Sequence, residues 1–551
     1  MKKSGMLKCA EPEQRDSSAG HELSEVAAKP GVIEALVLWG VILSGIFWSA
    51  NLALQTPVNC DEMEHLHAAW LWNQGVQPFT GFSQHHPPAF WLVLRPLVSG
   101  SSRNLLEILT NGRILSWITV VLTIGGVYWL SLRLFGKTAA LCAAGFWSVF
   151  CASCAVAIHI RPDILMLAMM LCGTALAVEG FGLSLGGGHR SRVRILLGGM
   201  LVAAAVCVLP KAVFWMIALA ASLAALAVYA RRSRKDKSAM IDLGVFAVGL
   251  AIPAAIQLIW ILGFNDFKQF WFCNVTSNAR IANAIWGIDE ATKSALSGPA
   301  SWPMLSAPLA ALGAAVFAGL QGSGAGARKL ILLALVLSGA ALVLMSNGPW
   351  AHYSFPLLVL LAGLAGLGLA WACERLSKNA RMAVWITLLF LATLWPWSNL
   401  PEKQVLSGRP VSALEASLEC YQYVVDSARP GDTCLSLTNF SPVLIMDADP
   451  KLFMHLMCFQ KLEDLQIMVD AIVRDKPRFI VGPDNVLLVS HGGLGKLKIL
   501  MAPPEEGGGV WLTHPNIGKV PADEVHRWYD WARVGVLERR QAPRQGAEIA
   551  R

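Results

Sequence analysis

Long runs of apolar residues, separated by short polar segments, dominate the first three quarters of the chain. Most runs approach the length of about 20 residues that an α-helix needs to cross a bilayer, whereas a transmembrane β-strand would show only about 10 alternating residues. The pattern therefore predicts a polytopic helical membrane domain. About eleven spans are expected, near residues 34–54, 113–131, 138–158, 164–182, 195–209, 212–230, 240–263, 304–320, 330–346, 352–372 and 382–398.

Lysine and arginine are concentrated in every second connecting segment. The basic segments contain Arg133, Lys137, Arg190, Arg192, Arg194, Arg231, Arg232, Arg234, Lys235, Lys237, Arg328, Lys329, Arg375, Lys378 and Arg381. By the positive-inside rule, these segments face the cytoplasm. We therefore expect a cytoplasmic N-terminus, while loops 55–112 and 264–302 and everything after residue 399 lie outside.

The composition agrees with a membrane protein. Hydrophobic residues make up 55% of the 551 positions and charged residues only 15%, against about 25% charged residues in a soluble protein. This balance excludes a disordered chain or a small disulfide scaffold. The net charge of +8 does not indicate nucleic-acid binding, because the basic residues lie in loops where membrane topology accounts for them. Residues 1–30 are polar and predict a disordered cytoplasmic tail, followed by a membrane domain over 31–399.

Polar and turn-forming residues increase after residue 400. Segments 431–437 and 477–482 each have a turn followed by apolar residues typical of a strand, and apolar positions between residues 465 and 473 have helical spacing. A helix followed by a strand indicates a small α/β domain. The predicted fold is thus an all-α polytopic membrane domain with a small extracytoplasmic C-terminal α/β domain over 400–551.

Ionisable side chains are costly at a membrane and often mark function. Four groups of them fall on the predicted outer side: Asp61-Glu62 followed by Glu64, His65 and His67; His85-His86 before Pro87-Pro88; Arg161-Pro162-Asp163; and the cationic or phenolic set Lys211, Arg280, His352 and Tyr353. Each has a structural alternative. These are a solvated acidic loop, a proline turn, an Arg–Asp ion pair, and cations that extend to lipid headgroups.

The chemistry of these groups is that of phosphate and proton transfer. Adjacent carboxylates can act as a general base or hold a cation, and Arg and Lys bind phosphate. His65, His67, His85 and His86 also admit a zinc site, although no HExxH spacing supports it. Carboxylates and cations on one side of the membrane predict an extracytoplasmic transferase that acts on a lipid phosphate. In the 61–77 stretch, Leu66, Ala69 and Trp70 share one helical face, which is typical of a short interfacial helix.

The order of these motifs resembles the GT-C superfamily of polyprenyl-phosphate-dependent glycosyltransferases. The nearest resemblance is to bacterial relatives of dolichyl-phosphate-mannose–protein mannosyltransferases and of lipid A aminoarabinose transferases. The matching stretches are the acidic pair Asp61-Glu62, the basic-residue-Pro-Pro turn at His86-Pro87-Pro88, the Arg-Pro-Asp turn at Arg161-Pro162-Asp163, the Lys-bearing turn at Leu209-Pro210-Lys211 and the Tyr-x-x-Pro stretch from Tyr353 to Pro356. The family often has Lys before Pro-Pro, where this chain has His85-His86.

The resemblance implies a reaction and roles for these residues. Asp61 and Glu62 would be catalytic: Asp61 would take the proton from an acceptor hydroxyl, or orient an acceptor that is already ionised, during an inverting displacement. Glu62 and Asp163 would shape the site or hold a cation. The implied phosphate-binding residues are Lys211, Arg280, Tyr353 and His86, and the substrate-orienting residues are His85, Arg161, Asp163 and His352.

The resemblance also implies the partners of the protein. The enzyme would be a hexosyl- or pentosyltransferase of the bacterial inner (plasma) membrane. It would use a polyprenyl-phosphate-linked sugar as donor and a lipid, glycan or protein as acceptor, in contact with membrane lipid and without nucleic acid. The resemblance leaves metal dependence open and implies no certain cofactor; a divalent cation near Asp61 and Glu62 is the candidate.

The main alternative is a secondary transporter or lipid flippase. Transporters often carry internal repeats and broken helices near the bilayer midplane. The sequence has no convincing repeat, and its ionisable residues gather at one face rather than at mid-depth. A polymerase or ligase of lipid-linked glycans is a further alternative, but it would lack the acidic pair after the first span. These differences favour the transferase.

Overall fold

The computed structural model describes residues 30–100, 103–185, 189–234, 236–264, 266–277, 301–320, 325–345 and 351–394, together with short segments between residues 404 and 539. The predicted N-terminal tail and most of loop 264–302, including Arg280, lie outside the described residues. So does the helix expected between residues 465 and 473.

Among the described residues up to 394, the regular structure is helical apart from an isolated β-bridge between Pro78 and Phe82. The helices are α1 (Val32–Gln55), α2 (Cys60–Asn73), α3 (Ala89–Val98), α4 (Leu105–Phe135), α5 (Lys137–Ser153), α6 (Ala155–Ile158), α7 (Pro162–Gly180), α8 (Arg192–Val208), α9 (Val213–Arg234), α10 (Ser238–Phe264), α11 (Phe267–Trp271), α12 (Ser301–Gly319), α13 (Ala325–Met345), α14 (Phe355–Glu374) and α15 (Lys378–Leu394). The 3₁₀ turns Pro210–Ala212 and Ala351–Ser354 lead directly into α9 and α14, and the π-helical turn Phe272–Ser277 follows α11.

Seven helical stretches among the described residues are long and apolar enough to cross a membrane. They are Val32–Gln55, Leu105–Phe135, Pro162–Gly180, Pro210–Ser233, Ser238–Gly263, Ala325–Leu344 and His352–Glu374. Their outward faces carry exposed Leu, Ile, Val and Phe side chains, as lipid-facing surfaces do. The expectation of a helical, multi-pass membrane protein is confirmed.

The other four expected spans coincide with shorter helices. Helices α5, α8 and α15 have 17 residues each, or about 25 Å at 1.5 Å per residue, which is slightly less than the bilayer core of about 30 Å. The apolar part of α12 is Ala307–Gly319. A total of about eleven crossings therefore stays a prediction.

Small residues allow the central helices to approach closely. Helix α14 packs against α5 through Gly366, where an added Cβ would lie 2.6 Å from the Ala143 nitrogen. It packs against α12 through Gly368, where a Cβ would lie 2.1 Å from the Leu309 carbonyl oxygen. Close backbone contact of this kind drives helix association in lipid, where apolar surface alone gives no advantage. The packing holds the second half of α14 in place. The first residues of the same helix lie at the candidate site.

Helices α2 and α3 form a packed pair after the first span. The side chain of Asn59 caps α2 by accepting a hydrogen bond from the Asp61 nitrogen at 3.0 Å. The Nε of Arg95 in α3 donates to the Asn73 side chain at 2.7 Å, and Asn73 donates to the Arg95 carbonyl at 2.9 Å. The expected short helix is therefore present, and its Leu66, Ala69 and Trp70 are buried against the rest of the chain.

The described C-terminal segments comprise helix α16 (Ala413–Ser427) and ten short strands. The strands are β1 (Gln404–Leu406), β2 (Arg409–Val411), β3 (Thr433–Ser436), β4 (Met446–Asp447), β5 (Phe479–Val481), β6 (Lys498–Met501), β7 (Val510–His514), β8 (Gly518–Pro521), β9 (Tyr529–Arg533) and β10 (Val536–Arg539). Strands β1 and β2 form a hairpin, the order β4-β3-β5-β10-β9 forms one sheet, and β6-β7-β8 forms another.

The two strands expected from the sequence, β3 and β5, pair in parallel, with Leu435 opposite Ile480. Helix α16 contacts the start of α4, where the Gln422 side chain accepts from the Leu105 nitrogen at 2.9 Å and donates to the Arg103 carbonyl at 3.1 Å. A separate C-terminal α/β domain stays a prediction.

The contact between α12 and α14 can be tested with Gly368→Ala. We expect this variant to lower stability by about 1–3 kcal/mol, because the new methyl group would overlap the backbone of α12. Thermal unfolding of the purified protein in detergent measures the effect. Gly125→Ala is the matched control, since a Cβ there meets no atom within 4 Å. Equal midpoints for wild type and Gly368→Ala would contradict the close packing.

Candidate functional site

The candidate site lies where the N-terminal ends of several helices meet. Asp61 is in the first turn of α2 and Asp163 in the first turn of α7, positions where the helix dipole favours a carboxylate. Pro162 begins α7, and its fixed φ angle suits the first helical position. The turns Pro210–Ala212 and Ala351–Ser354 bring Lys211 and His352 to the same place. The four helix starts thus present their polar side chains to one another.

Arg161 is the central residue of this network. Its guanidinium forms an ion pair with Asp61, and its Nε lies 3.3 Å from Oδ2 of Asp163. Its Nη2 lies 3.2 Å from both ring nitrogens of His352. The Asp61 side chain is 22% exposed, against 10% for Arg161 and 3% for Asp163. Asp61 is therefore the carboxylate of the network that a substrate can reach most readily.

Lys211 extends the network towards α14. Its ammonium forms an ion pair with Asp163 and lies 3.5 Å from the carbonyl oxygen of His352. It also lies 4.3 Å from the centre of the Tyr353 ring, within cation–π distance. The structure thus brings together the expected residues Asp61, Arg161, Asp163, Lys211, His352 and Tyr353.

Glu62 faces away from this network and is completely buried with Arg113. Its two carboxylate oxygens accept from Arg113 Nε at 2.9 Å and Nη2 at 2.7 Å. Burial alone would raise the pKa of Glu62, but the charge and hydrogen bonds of Arg113, together with His159 and the Asn59 nitrogen, outweigh burial and lower the pKa. The same carboxylate accepts from the backbone nitrogens of Asn59 and Ile160 at 2.8 and 3.1 Å.

Arg113 extends this buried ion pair into a hydrogen-bond network. Its guanidinium donates to the carbonyl oxygens of Ala53, Thr56 and Pro57 at 2.7–2.8 Å. The Glu62–Arg113 pair therefore ties the end of α1 and the start of α2 to the turn before Arg161. Arg113 is not among the site residues predicted from the sequence. A lone arginine at the edge of an apolar run is the signal that could have identified it.

A second polar group lies beside the network on α2 and the segment before α3. The Nδ1 of His85 is 3.3 Å from Oε1 of Glu64, and the rings of His85 and His86 are 4.0 Å apart. His65 lies next to them, 4.8 Å from His86, and its Nδ1 accepts from the Trp91 indole at 3.4 Å. Burial lowers the pKa of His65 to about 3 and of His85 to about 4, and burial followed by the Asp61 charge raises the pKa of Glu64.

The residues that could hold a metal include two of the histidines that the sequence admitted as zinc ligands. Among the described residues, the set with suitable spacing is Glu64, His85 and His86, whose ligand atoms lie within 4.8 Å of one another. Asp61 and Glu62 are not part of this set. His67 is outside it as well and stacks on Trp70 at 5.7 Å.

His159 is a buried imidazole in the turn before Arg161. Neither of its ring nitrogens has a hydrogen-bond partner among the described residues. Burial lowers its pKa to about 4, against an opposing effect of Glu62. His159 therefore stays neutral at pH 7 and links the stability of this turn to pH.

No protein-family model matches the sequence, and no curated protein matches it. The structure is similar to that of ArnT from Cupriavidus metallidurans in the apo state, with a TM-score of 0.51 at 14% identity over 82% of this chain and 93% of ArnT. This similarity shows the fold. The chain therefore has the same overall fold as ArnT.

Two further similarities have lower scores. ArnT from Cupriavidus metallidurans bound to undecaprenyl phosphate has a TM-score of 0.49 at 13% identity, over 83% of this chain and 89% of ArnT. The archaeal oligosaccharyltransferase AglB from Archaeoglobus fulgidus, in complex with an inhibitory peptide and a dolichol-phosphate, has a TM-score of 0.48 at 13% identity, over 80% of this chain and 69% of AglB.

The Glu62–Arg113 pair can be tested by a double-mutant cycle. Glu62→Gln leaves the Arg113 charge buried without its counter-ion, so we expect a loss of about 3–5 kcal/mol. In the double variant Glu62→Gln/Arg113→Gln the loss should be smaller than the sum of the single losses. Thermal unfolding measures the two single variants, Glu62→Gln and Arg113→Gln, and the double variant. Glu107→Gln, which removes an exposed carboxylate, is the control. Additive losses would show that the two side chains do not act as a pair.

His159 predicts a pH dependence of stability. Because its folded pKa of about 4 lies below the ordinary 6.5, the unfolded chain binds a proton between these values that the folded chain does not. Stability should therefore be lost as pH falls from 6.5 towards 4, by about 2 kcal/mol at pH 5 relative to pH 7. The free energy of unfolding is measured at pH 7 and at pH 5. Between these two values, wild type should lose about 2 kcal/mol more than His159→Leu. His189→Leu replaces an exposed imidazole and serves as control. An unchanged pH dependence in His159→Leu would refute the linkage.

Proposed function

We propose that this protein is an integral membrane glycosyltransferase that moves a hexose or pentose from a polyprenyl-phosphate donor to an acceptor on the extracytoplasmic face. The observation that carries the proposal is the network of Asp61, Arg161, Asp163, Lys211 and Tyr353, which joins a reachable carboxylate to phosphate-binding cations. The GT-C fold supports the same class of enzyme by analogy.

Asp61 is proposed as the general base. It takes the proton of an acceptor hydroxyl while that oxygen attacks the anomeric carbon, and the bond from that carbon to the lipid phosphate breaks. Direct displacement inverts the anomeric centre. If the acceptor is a phosphate and already ionised, Asp61 orients it instead. The ion pair with Arg161 fixes the direction in which the Asp61 carboxylate points.

The leaving lipid phosphate gains negative charge as the glycosidic bond breaks, and fixed cations stabilise that charge. We assign this role to Lys211 and to Arg280 of the outer loop, with the Tyr353 hydroxyl and His86 as further contacts. Asp163 holds both Lys211 and Arg161 and is proposed to position them. His85, Arg161 and His352 are proposed to orient the substrates.

Glu62 is proposed to act by position rather than by proton transfer. Its carboxylate is buried on all sides, and its oxygens contact Arg113 and two backbone nitrogens. Through these contacts it fixes the start of α2, so that Asp61 remains next to Arg161. Asp61 and Glu62 thus have different roles although they are adjacent in sequence.

The sidedness of the proposal follows from the two ends of α7. Asp163 lies at the first end, and Glu179 at the other end is paired with Arg133 and Arg194 of the basic segments. The helix has 19 residues, about 28 Å at 1.5 Å per residue, so the basic segments lie about a bilayer thickness from Asp61. With basic segments in the cytoplasm, the site is on the outer side. About eleven spans and an outer domain over 400–551 complete the proposed topology, in a bacterial inner membrane.

A transfer assay with Asp61→Asn tests this proposal. The full-length protein in proteoliposomes is given synthetic polyprenyl phosphates carrying a hexose or a pentose, and mass spectrometry follows the glycosylated acceptors of an envelope lipid extract. Loss of a general base should reduce transfer at least ~100-fold. Asp266→Asn is the control, because Asp266 is an exposed helix cap and Asn caps equally well.

Two results would contradict the proposal. Full transfer by Asp61→Asn would remove Asp61 from its proposed role. Wild-type protein that transfers no sugar from either donor, but carries the lipid across the bilayer, would instead indicate the flippase or transporter.

A further inference from the structure

Glu64, His85 and His86 form a compact group of ligand-type side chains, here named the Glu64 cluster. It lies outside the chain of ion pairs from Asp61 to Lys211. The three ligand atoms are within 4.8 Å of one another, and Oε1 of Glu64 is 3.3 Å from Nδ1 of His85. Ligands at about 2.0–2.1 Å in tetrahedral geometry around zinc are themselves about 3.3 Å apart. The Glu64–His85 separation already has this value.

The cluster is held by packed elements on both sides. Glu64 is the fifth residue of α2. His85 and His86 come directly before Pro87-Pro88 and α3. The α2–α3 pair is fixed by the hydrogen bonds between Asn73 and Arg95. The Gln84 side chain accepts from the His85 nitrogen at 2.7 Å. Ligands on rigid elements lose little freedom when a metal binds.

The Glu64 carboxylate supplies an observation independent of the spacing. The side chain is almost completely buried, and its carboxylate has a hydrogen bond with the Gln84 side chain. Among the described residues, the Oε1 atom accepts no hydrogen bond of ordinary geometry and has His85 Nδ1 as its neighbour at 3.3 Å. A buried acceptor of this kind needs a donor or a cation. His65, the third imidazole nearby, differs, because its Nδ1 accepts from the Trp91 indole.

We propose that Glu64, His85 and His86 bind one divalent cation, and that zinc is the cation this set favours. Two imidazole nitrogens and one carboxylate oxygen are the ligands of zinc sites that keep a further position open. Binding would give the buried Glu64 carboxylate a counter-charge.

The charges of the neighbouring network indicate what the cation would add. Among the described residues of that network, the carboxylates of Asp61 and Asp163 match the charges of Arg161 and Lys211. An arriving lipid phosphate would therefore make the site net negative, and a cation next to it offsets this charge. This consequence rests on the proposed function, whereas the binding of zinc does not.

The experiment measures zinc alone, without donor or acceptor. Full-length protein in detergent is stripped with a chelator, equilibrated with Zn²⁺ and desalted. Elemental mass spectrometry gives the stoichiometry, and competition with a chromophoric chelator gives the affinity. We expect one Zn²⁺ per wild-type chain, and at least tenfold weaker binding in Glu64→Gln and in His86→Ala. His189→Ala removes an exposed imidazole on the segment after the far end of α7 and should bind as wild type does.

A second measurement does not depend on the folding of any variant. Co²⁺ added to the stripped wild-type protein should give the visible absorption of a low-coordinate cobalt site, and Zn²⁺ should displace it. Wild-type protein that retains no Zn²⁺ and gives no cobalt spectrum would overturn the site. So would folded Glu64→Gln and His86→Ala variants that bind zinc as tightly as wild type.

The outcomes separate this site from the proposed function. A chain that binds one zinc but transfers no sugar would overturn the proposed function and leave the zinc site standing. A chain that binds no zinc but transfers sugar would overturn the zinc site and leave the function standing.

Discussion

The buried ion pair between Glu62 and Arg113 is the constraint on which the site depends. A charged guanidinium in the interior is tolerated only when its donors are satisfied, and here they meet one carboxylate and three backbone carbonyls. Because the carboxylate also accepts from the backbone before Arg161, a single interaction sets the relative positions of α1, α2 and the turn into α7. The ion pair between Asp61 and Arg161 joins two of these elements, α2 and the turn into α7.

The site itself consists of alternating charges that hold one another in place. Asp61, Arg161, Asp163 and Lys211 each contact an opposite charge, and Asp61 remains the most accessible carboxylate. Buried charges that are paired in this way are pre-organised, so little reorganisation is needed when a substrate charge develops. The Glu64 cluster next to them has neutral imidazoles and a carboxylate oxygen without a hydrogen bond. The two neighbouring regions thus differ in how their polar groups are satisfied.

The sequence predicts the membrane helices well, because hydropathy reports burial in lipid directly. Four of the expected spans correspond to shorter helices: α5, α8 and α15 are 17 residues long, and the apolar part of α12 is Ala307–Gly319. Helix α5 is buried among other helices, so its length is not set by the bilayer alone. The meeting of Asp61 with Arg161 and Lys211 was expected from motif order and sidedness. The partner of Glu62 was not, since Arg113 is 51 residues away and pairing at that distance depends on tertiary packing. For a metal, the sequence left two candidate sites open, one near Asp61 and Glu62 and one among the histidines that include His85 and His86. The participation of Glu64 depends on how α2 packs against the segment before α3.

The position of Asp61 and Glu62 on α2 has a consequence for how the region can vary. Consecutive residues of an α-helix point about 100° apart, so the Asp61 carboxylate is directed towards Arg161 and the next one, Glu62, into the protein interior. If α2 keeps its packing, one residue inserted between Thr56 and Asp61 would turn every later side chain by about 100°, so that Asp61 would take the buried direction of Glu62 and Glu62 would lose its place beside Arg113. The distance along the chain from the first span to α2 should therefore be more strictly limited during evolution than the identities of the residues that fill it.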